Sequence, residues 1–543
     1  MRRWNGWGDD RVHLELPDNG AGFLRERLGD AEPLPEATLE TVCARVPESR
    51  IAARDHVYID AETRVRHARG QSLPDWLAMR SGDFGVFPDA VALPETSEEV
   101  AALLQWAREQ DLVVIPYGGG TSVAGHINPA EEGRPVLTLS LERMTRMLDL
   151  DPESQIATFG AGTPGPLVES QLLAQGYTLG HFPQSFELST VGGWVASRSS
   201  GQQSLRYGRI EQLFAGGRVE TLDGTWTIPT FPASAAGPDP REILLGSEGR
   251  FGVITEVKVR VTPVADSESF HVLFFPSWEK ARTAARELIQ NRTFLSMLRL
   301  SNATETETQL ALAGHPLMLG ALEKLLKWRG VDKGKCMMTV GLTGTPVQCG
   351  TGLQELKRIS RARGGLYTGT YLGRKWAEKR FTMPYLRETL WQRGYLVDTL
   401  ETATDWDNVD TLMNRVEGTL RHGLEQDGEP VHVFTHISHV YGQGCSIYTT
   451  YVFRCAASYA ETEARWRRLK QAASQVIVNN RGTISHQHGV GRDHAPYLPV
   501  EKGPVTMKVL RSLSRTLDPE QRLAPGVMLE RVDVAESESI NDQ

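Results

Sequence analysis

Three glycine-rich stretches between residues 117 and 254 narrow what this chain can fold into. They are Tyr117-Gly118-Gly119-Gly120-Thr121-Ser122, Ser189-Thr190-Val191-Gly192-Gly193-Trp194 and Gly246-Ser247-Glu248-Gly249-Arg250-Phe251-Gly252-Val253-Ile254, each beside an apolar run. Glycine has no Cβ, so backbone N–H groups can converge on anionic oxygens. The same residue also serves ordinary tight turns. The first stretch has neither the GxGxxG spacing of a dinucleotide fingerprint nor the lysine of a P-loop. Three small-residue loops with hydroxyl neighbours and few charges fit a long pyrophosphate cofactor better than a single phosphate.

Around the loops the pattern alternates between strand and helix. Thr96-Ser97-Glu98-Glu99 offers caps ahead of Val100, Leu103, Leu104 and Ala107, which recur at helical spacing. Leu112–Pro116 and Val136–Leu139 read as buried strands, 167–175 as a short helix, and Thr255–Val261 as a period-two strand. Residues 1–83 read as an N-terminal arm with short helices, and 84–265 as the loop-bearing domain. Residues 266–480 read as a second α+β region, opening with strand Ser269–Phe275 and helix Glu279–Gln290. Residues 481–543 form a C-terminal loop and helical segment. A length of 543 residues accommodates such a division, and the fold class is α+β.

With the glycine loops, Trp4-Asn5-Gly6-Trp7-Gly8 and Ser485-His486-Gln487-His488-Gly489-Val490-Gly491 resemble segments of the vanillyl-alcohol-oxidase/p-cresol-methylhydroxylase-type (PCMH-type) flavoproteins. Within them the chain most resembles the alkyldihydroxyacetonephosphate synthase family. The resemblance implies a two-subdomain PCMH-type FAD-binding domain followed by an α+β substrate-binding cap. It places the pyrophosphate at Pro116, Tyr117, Gly118, Gly119, Gly120, Thr121 and Ser122. It places the ring and ribityl chain at Gln184, Ser185, Phe186, Glu187, Leu188, Ser189, Thr190, Ser197, Arg198, Ser199 and Ser200. The adenosine side falls to Glu248, Gly249, Arg250, Phe251, Gly252, Val253 and Ile254. Thr121 stands where some relatives carry the histidine that attaches the flavin, which implies non-covalent FAD. His126, nearby, reads as an ordinary polar loop residue.

The same resemblance implies catalytic roles for Tyr448, His486, His488 and Arg299, and a substrate contact for Arg387. A phenol moves protons if nearby cations lower its pKa or if it relays them. A guanidinium suits a phosphorylated head group through paired donors. His486 and His488, two apart in an extended segment, would point to one side. Gln487 replaces the middle histidine of the family's three, and Gln cannot take up a proton at neutral pH. The implied reaction exchanges the acyl group of 1-acyl-dihydroxyacetone phosphate for a long-chain alcohol in ether lipid synthesis. The alternative is an FAD-linked 2-hydroxy-acid or alcohol dehydrogenase or oxidase with His488 as base, and Gln487 favours it. His436-Ile437-Ser438-His439 is an HxxH, a spacing that does not align two rings on a strand, and no metal site is expected.

Lys+Arg 59 against Asp+Glu 67 gives −8, without the cation excess that nucleic-acid binding needs. Five widely spaced cysteines argue against a disulfide framework and fit a reducing compartment. No run of about 18 apolar residues exists to span a bilayer. The first residues resemble no signal peptide and the last no peroxisomal tripeptide or prenylation box, so the expected location is cytoplasmic. Leu322, Leu325 and Leu326, flanked by Lys324, Lys327 and Arg329, form a stripe that serves packing or peripheral membrane contact. The expected partners are the lipid substrates. A homodimer is compatible with the sequence.

Overall fold

The computed structural model describes residues 1–131, 133–312 and 316–531. Strands Ala90–Ala92 and Val113–Tyr117 both run parallel to Val136–Ser140, and Val57–Tyr58 adds antiparallel at the far edge. Helix Ser97–Glu109 makes the crossover. Thr96 Oγ1 accepts the Glu99 N–H at 3.2 Å, and Val100, Leu103, Leu104 and Ala107 form the buried face, as the spacing predicts. Every residue of Val136–Ser140 is buried, which is why this run reads as unbroken rather than alternating. The short helix spans Gly165–Leu173, two residues earlier than the periodicity suggests. Proline in its first turn sets that start.

A five-stranded antiparallel sheet follows, with Val253–Arg260 at its centre between Ile156–Gly160 and Phe214–Thr221. Helix Val191–Ser197 lies against this sheet, capped by Thr190. The third sheet has seven strands, all antiparallel, in the spatial order Leu366–Tyr367, Ser267–Phe275, Cys336–Gly344, Met297–Ser301, His432–Ile437, Gly444–Arg454, Tyr395–Asp405. Helices Trp278–Gln290, Pro346–Ala362, Val409–His422 and Tyr459–Asn479 contribute Ala284, Leu288, Leu356, Leu412, Leu420 and Leu469 to the core shared with it. The sheet's other face is left free to line a cavity.

Both ends of the described chain return to the loop-bearing half. Val114 donates to the Arg522 carbonyl at 2.8 Å, and Ala524 donates back to Val114 at 2.9 Å, so residues 522–524 extend the first sheet. At the other end, Arg2 Nη2 donates to the Gly119 carbonyl at 2.6 Å. Gly8, at φ 72°, sits so close to Tyr385 that a Cβ would lie 2.2 Å from its hydroxyl. That contact explains one glycine of the Trp4–Gly8 segment. In helix Pro316–Trp328, Leu326 is fully buried and Leu322 packs against the same cluster, while Leu325 and Trp328 are exposed. The stripe therefore serves packing first. Among the described residues, no helix is long and apolar enough to cross a membrane. Residues 532–543 of the C-terminal segment lie outside the described residues.

Candidate active site

A cavity of about 550 Å³ lies between the glycine-rich loops and the open face of the seven-stranded sheet, the size of site that takes a cofactor or drug-sized ligand. The loop side brings Pro116 to Ser122, Gln184, Ser185, Ser189, Thr190, Ser197, Ser199, Ser200, Glu248, Gly249 and Gly252 to Ile254 to it. The sheet side and its neighbours bring Arg299, Arg387, Tyr448 and His488. Much of the glycine signal is close packing of backbone on backbone. A Cβ on Gly119 would lie 1.8 Å from the Leu188 carbonyl oxygen, and one on Gly118 would lie 2.6 Å from Thr190 Oγ1.

Seven residues expected at the site stand off the cavity. Phe186 packs with Phe182 and Phe381. Glu187 accepts a hydrogen bond from the Tyr385 hydroxyl at 2.7 Å, and Leu188 packs against the core of the cap. Arg198 caps its helix in the left-handed region and pairs outward with Glu242 at 2.9 Å. Arg250 donates to Ser514 Oγ at 2.7 Å and to the Leu523 carbonyl, and Phe251 is buried with Leu498, Met507 and Val527. Both tie the C-terminal segment to the loop-bearing half. The seventh is His486. Residues 486–488 bend rather than extend, so the two rings do not share one face. Only Gln487 and His488 line the cavity, while His486 is buried against Tyr441.

Glu248 positions this histidine loop. Its carboxylate accepts the backbone N–H of Val490 at 2.5 Å and of Gly491 at 2.7 Å, and it faces His126 Nε2 at 3.3 Å. Burial works against a charge on His126, but Glu248 outweighs it and raises the pKa. His126 is thus a half-buried, cavity-lining partner rather than a plain loop residue.

On the sheet, the register sets Tyr448 opposite both Glu401 and His436. Directly paired residues project to the same face. The His436 ring stacks on Tyr448 at 4.7 Å, and Tyr448 donates to Thr399 Oγ1 at 3.2 Å. Burial, with the Glu401 charge, pushes the Tyr448 phenol up to about 12. The phenol is therefore protonated at neutral pH rather than lowered by the nearby cations. Arg299 donates to Glu305 at 2.5 Å and reaches His436 Nδ1 at 3.1 Å. Burial is opposed by His436 and Arg299, which hold the Glu305 carboxyl down at about 2.

The guanidinium of half-buried Arg387 lies over the Trp76 ring at 4.3 Å, and its Nη1 donates to the Gln71 carbonyl at 2.5 Å. Its Nε and Nη2 are buried without a hydrogen-bond partner. Burial lowers its pKa to about 10, so it stays a cation at neutral pH.

Sequence reasoning missed Glu401, Tyr441 and Glu305, and named His439 only as part of an HxxH. Glu401, His439 and His486 gather their ligand-type atoms within 4.8 Å, all buried. His436 and His439 both line the cavity. The strand ends at Ile437, so the two rings enter different clusters, His436 with Arg299 and His439 with Glu401.

Residues 88–228 match the family described as FAD binding domain, and residues 265–528 the family described as FAD linked oxidases, C-terminal domain. A Dictyostelium discoideum alkyldihydroxyacetonephosphate synthase is 30% identical, over 96% of this chain and 92% of its own length. A solved structure of an alkyldihydroxyacetonephosphate synthase superposes with a TM-score of 0.84 at 28% identity, covering 96% of this chain and 98% of its own. A solved p-cresol methylhydroxylase, 14% identical, superposes with a TM-score of 0.66 over 91% of this chain and 96% of its own, which shows the fold.

Proposed function

The chain belongs to the alkyldihydroxyacetonephosphate synthase family of FAD-dependent enzymes, and from that membership we propose that it exchanges the acyl group of 1-acyl-dihydroxyacetone phosphate for a long-chain alcohol. The single observation that carries the substrate assignment is Arg387. A buried guanidinium on the cavity wall keeps two donors unpartnered. Leaving such groups desolvated is costly unless a ligand completes them, and a phosphate does so with two parallel acceptors.

The residues also suit FAD. The loop side carries hydroxyls and glycines, including Ser200, whose buried Oγ has no partner. Pro116 to Ser122, Ser189, Thr190, Ser197, Ser199, Ser200, Glu248, Gly249 and Gly252 to Ile254 would hold it, without a covalent bond since Thr121 offers no nucleophilic imidazole. Bound FAD supplies the electron-pair donor and acceptor that the side chains lack, and the net reaction leaves it unchanged.

The side chains then divide the remaining work. Arg387 anchors the phosphate. Arg299 is held in place by Glu305 and His436 and brings a second cation to the cavity. Tyr448 stays protonated and passes protons with Thr399 Oγ1. Burial lowers the His488 pKa, so its imidazole is neutral and able to accept the alcohol proton. The open strand face supplies apolar wall from Val397, Phe434 and Val452, and helix Leu386–Trp391 adds Leu390, for the long chains.

Purified holoenzyme given 1-acyl-dihydroxyacetone phosphate and labelled hexadecanol, with no electron acceptor, is expected to form the labelled ether and free fatty acid. Dye reduction by a 2-hydroxy acid, with no ether formed, would replace this reading with a dehydrogenase.

A further inference from the structure

Glu401 sits at the centre of the histidine cluster, its side chain wholly inaccessible to solvent. The hydrogen bonds around it converge on one of its two oxygens. Ser438 Oγ donates to Glu401 Oε1 at 3.1 Å and is itself 2.9 Å from Ser446 Oγ. His439 Nδ1 lies 3.0 Å from Ser438 Oγ and 3.5 Å from the same Oε1, while its Nε2 faces the Gly201 carbonyl at 3.2 Å. None of these groups reaches Oε2.

His486 supplies a second donor to the same oxygen. Its Nδ1 lies 3.1 Å from Glu401 Oε1, and its Nε2 lies 2.6 Å from the Tyr441 hydroxyl. A neutral ring with Nδ1–H directed at the carboxylate accepts from Tyr441 at Nε2. Glu401 Oε2 remains buried without a hydrogen-bond partner, and the ring nitrogen facing it is His488 Nε2 at 3.9 Å. A buried carboxylate oxygen with no donor is poorly compensated.

We propose that Glu401 is the positioning residue of this site: its Oε2 draws the Nε2–H of His488, which fixes that tautomer and leaves His488 Nδ1 as the acceptor turned to substrate. His486, His439 and Tyr441 are the frame that aims the carboxylate. The arrangement assigns the two loop histidines different tasks, His488 at the cavity and His486 behind Glu401. The role of Nδ1 rests on the proposed reaction. The tautomer does not, because it is a property of the resting protein.

Long-range ¹H–¹⁵N spectra of ¹⁵N-histidine-labelled holoenzyme, with His488 assigned by its loss in His488→Asn, are expected to show the Nε2–H form. In Glu401→Gln the His488 signals should move toward the mixture of a free imidazole. Turnover of the variant should fall about 100-fold or more in kcat with KM changed less than about threefold, the pattern of a lost proton-transfer partner. An Nδ1–H tautomer in the unmodified holoenzyme would overturn the assignment whether or not the variant folds. So would a folded, flavin-bearing variant with unchanged His488 signals, or stoichiometric divalent metal in the purified holoenzyme. If ether synthesis fails and a dehydrogenase activity is found, the spectra still decide the tautomer, and the kcat comparison is made on that activity.

Discussion

Replacing Arg387 separates its charge from its geometry. Two buried donors, Nε and Nη2, await an acceptor, while Nη1 is committed to the Gln71 carbonyl at 2.5 Å. Hydrogen bonds to charged groups contribute about 1.5–3 kcal/mol each. Losing both to a phosphate therefore removes about 3–6 kcal/mol of binding, or about 10²- to 10⁴-fold in kcat/KM at about 1.4 kcal/mol per factor of ten. Arg387→Met should show that full loss. Arg387→Lys keeps the cation and one donor, so it should lose about 10- to 100-fold. The assay is steady-state kcat/KM for 1-acyl-dihydroxyacetone phosphate, with the KM for alcohol as the internal control. Competition by inorganic phosphate should weaken in parallel, since the lost contacts belong to the phosphate rather than to the lipid chain. If Arg387→Met binds the phosphorylated substrate as tightly as the unmodified enzyme, the two orphan donors do not face a phosphate and the substrate assignment fails.

Gly119→Ala places a Cβ 1.8 Å from the Leu188 carbonyl, so the protein should purify without bound flavin, whereas Gly133→Ala, with nothing within 4 Å, should stay yellow; absorbance at the flavin band reads both. Tyr448→Phe should lower kcat by about 10²-fold or more, and because the phenol titrates at about 12 the kcat profile of the unmodified enzyme should show no limb from this group between pH 7 and 10. Acid should destabilise the fold through buried histidines. Burial lowers His181 and His494 to about 3 and His271, His432 and His486 to about 4, so between pH 6.5 and 5 the unfolded chain takes up protons on five rings that the folded chain refuses. Burial raises Asp493 to about 6, and its folded form takes up one proton in that window, which opposes the loss. The rings outnumber the carboxyl, and each net proton costs about 1.4 kcal/mol per pH unit, readable as a falling urea midpoint from pH 6.5 to 5; a midpoint that rises over that range would contradict the burial of these rings.

What the chain shows in one dimension is what local physics writes there. Val100, Leu103, Leu104 and Ala107 recur at helical spacing because one face of Ser97–Glu109 is buried, and Gly118 and Gly119 stand out because no other residue fits so close to 188–190, Gly120 because a Cβ would meet the Tyr117 hydroxyl. The glutamate that gathers the histidines carries no such mark. Glu401 is one polar residue in an eleven-residue strand of mixed character, and its partner His486 lies 85 residues away. Their meeting depends on a register in which Glu401 pairs with Tyr448 across one strand and His436 pairs with Tyr448 across the next. Contiguous motifs mislead in the complementary way. Arg250 and Phe251 sit inside a loop that reaches the cavity at Glu248, Gly249 and Gly252, yet their side chains turn to Ser514 and Val527. A loop delivers some of its residues to a ligand and spends the rest holding its own place. Which residues do which is settled by the packing of residues 485–531 behind that loop, and this explains why a motif near residue 250 and another near residue 488 belong to one site. The Glu248 carboxylate that holds Val490 and Gly491 is the physical link between them.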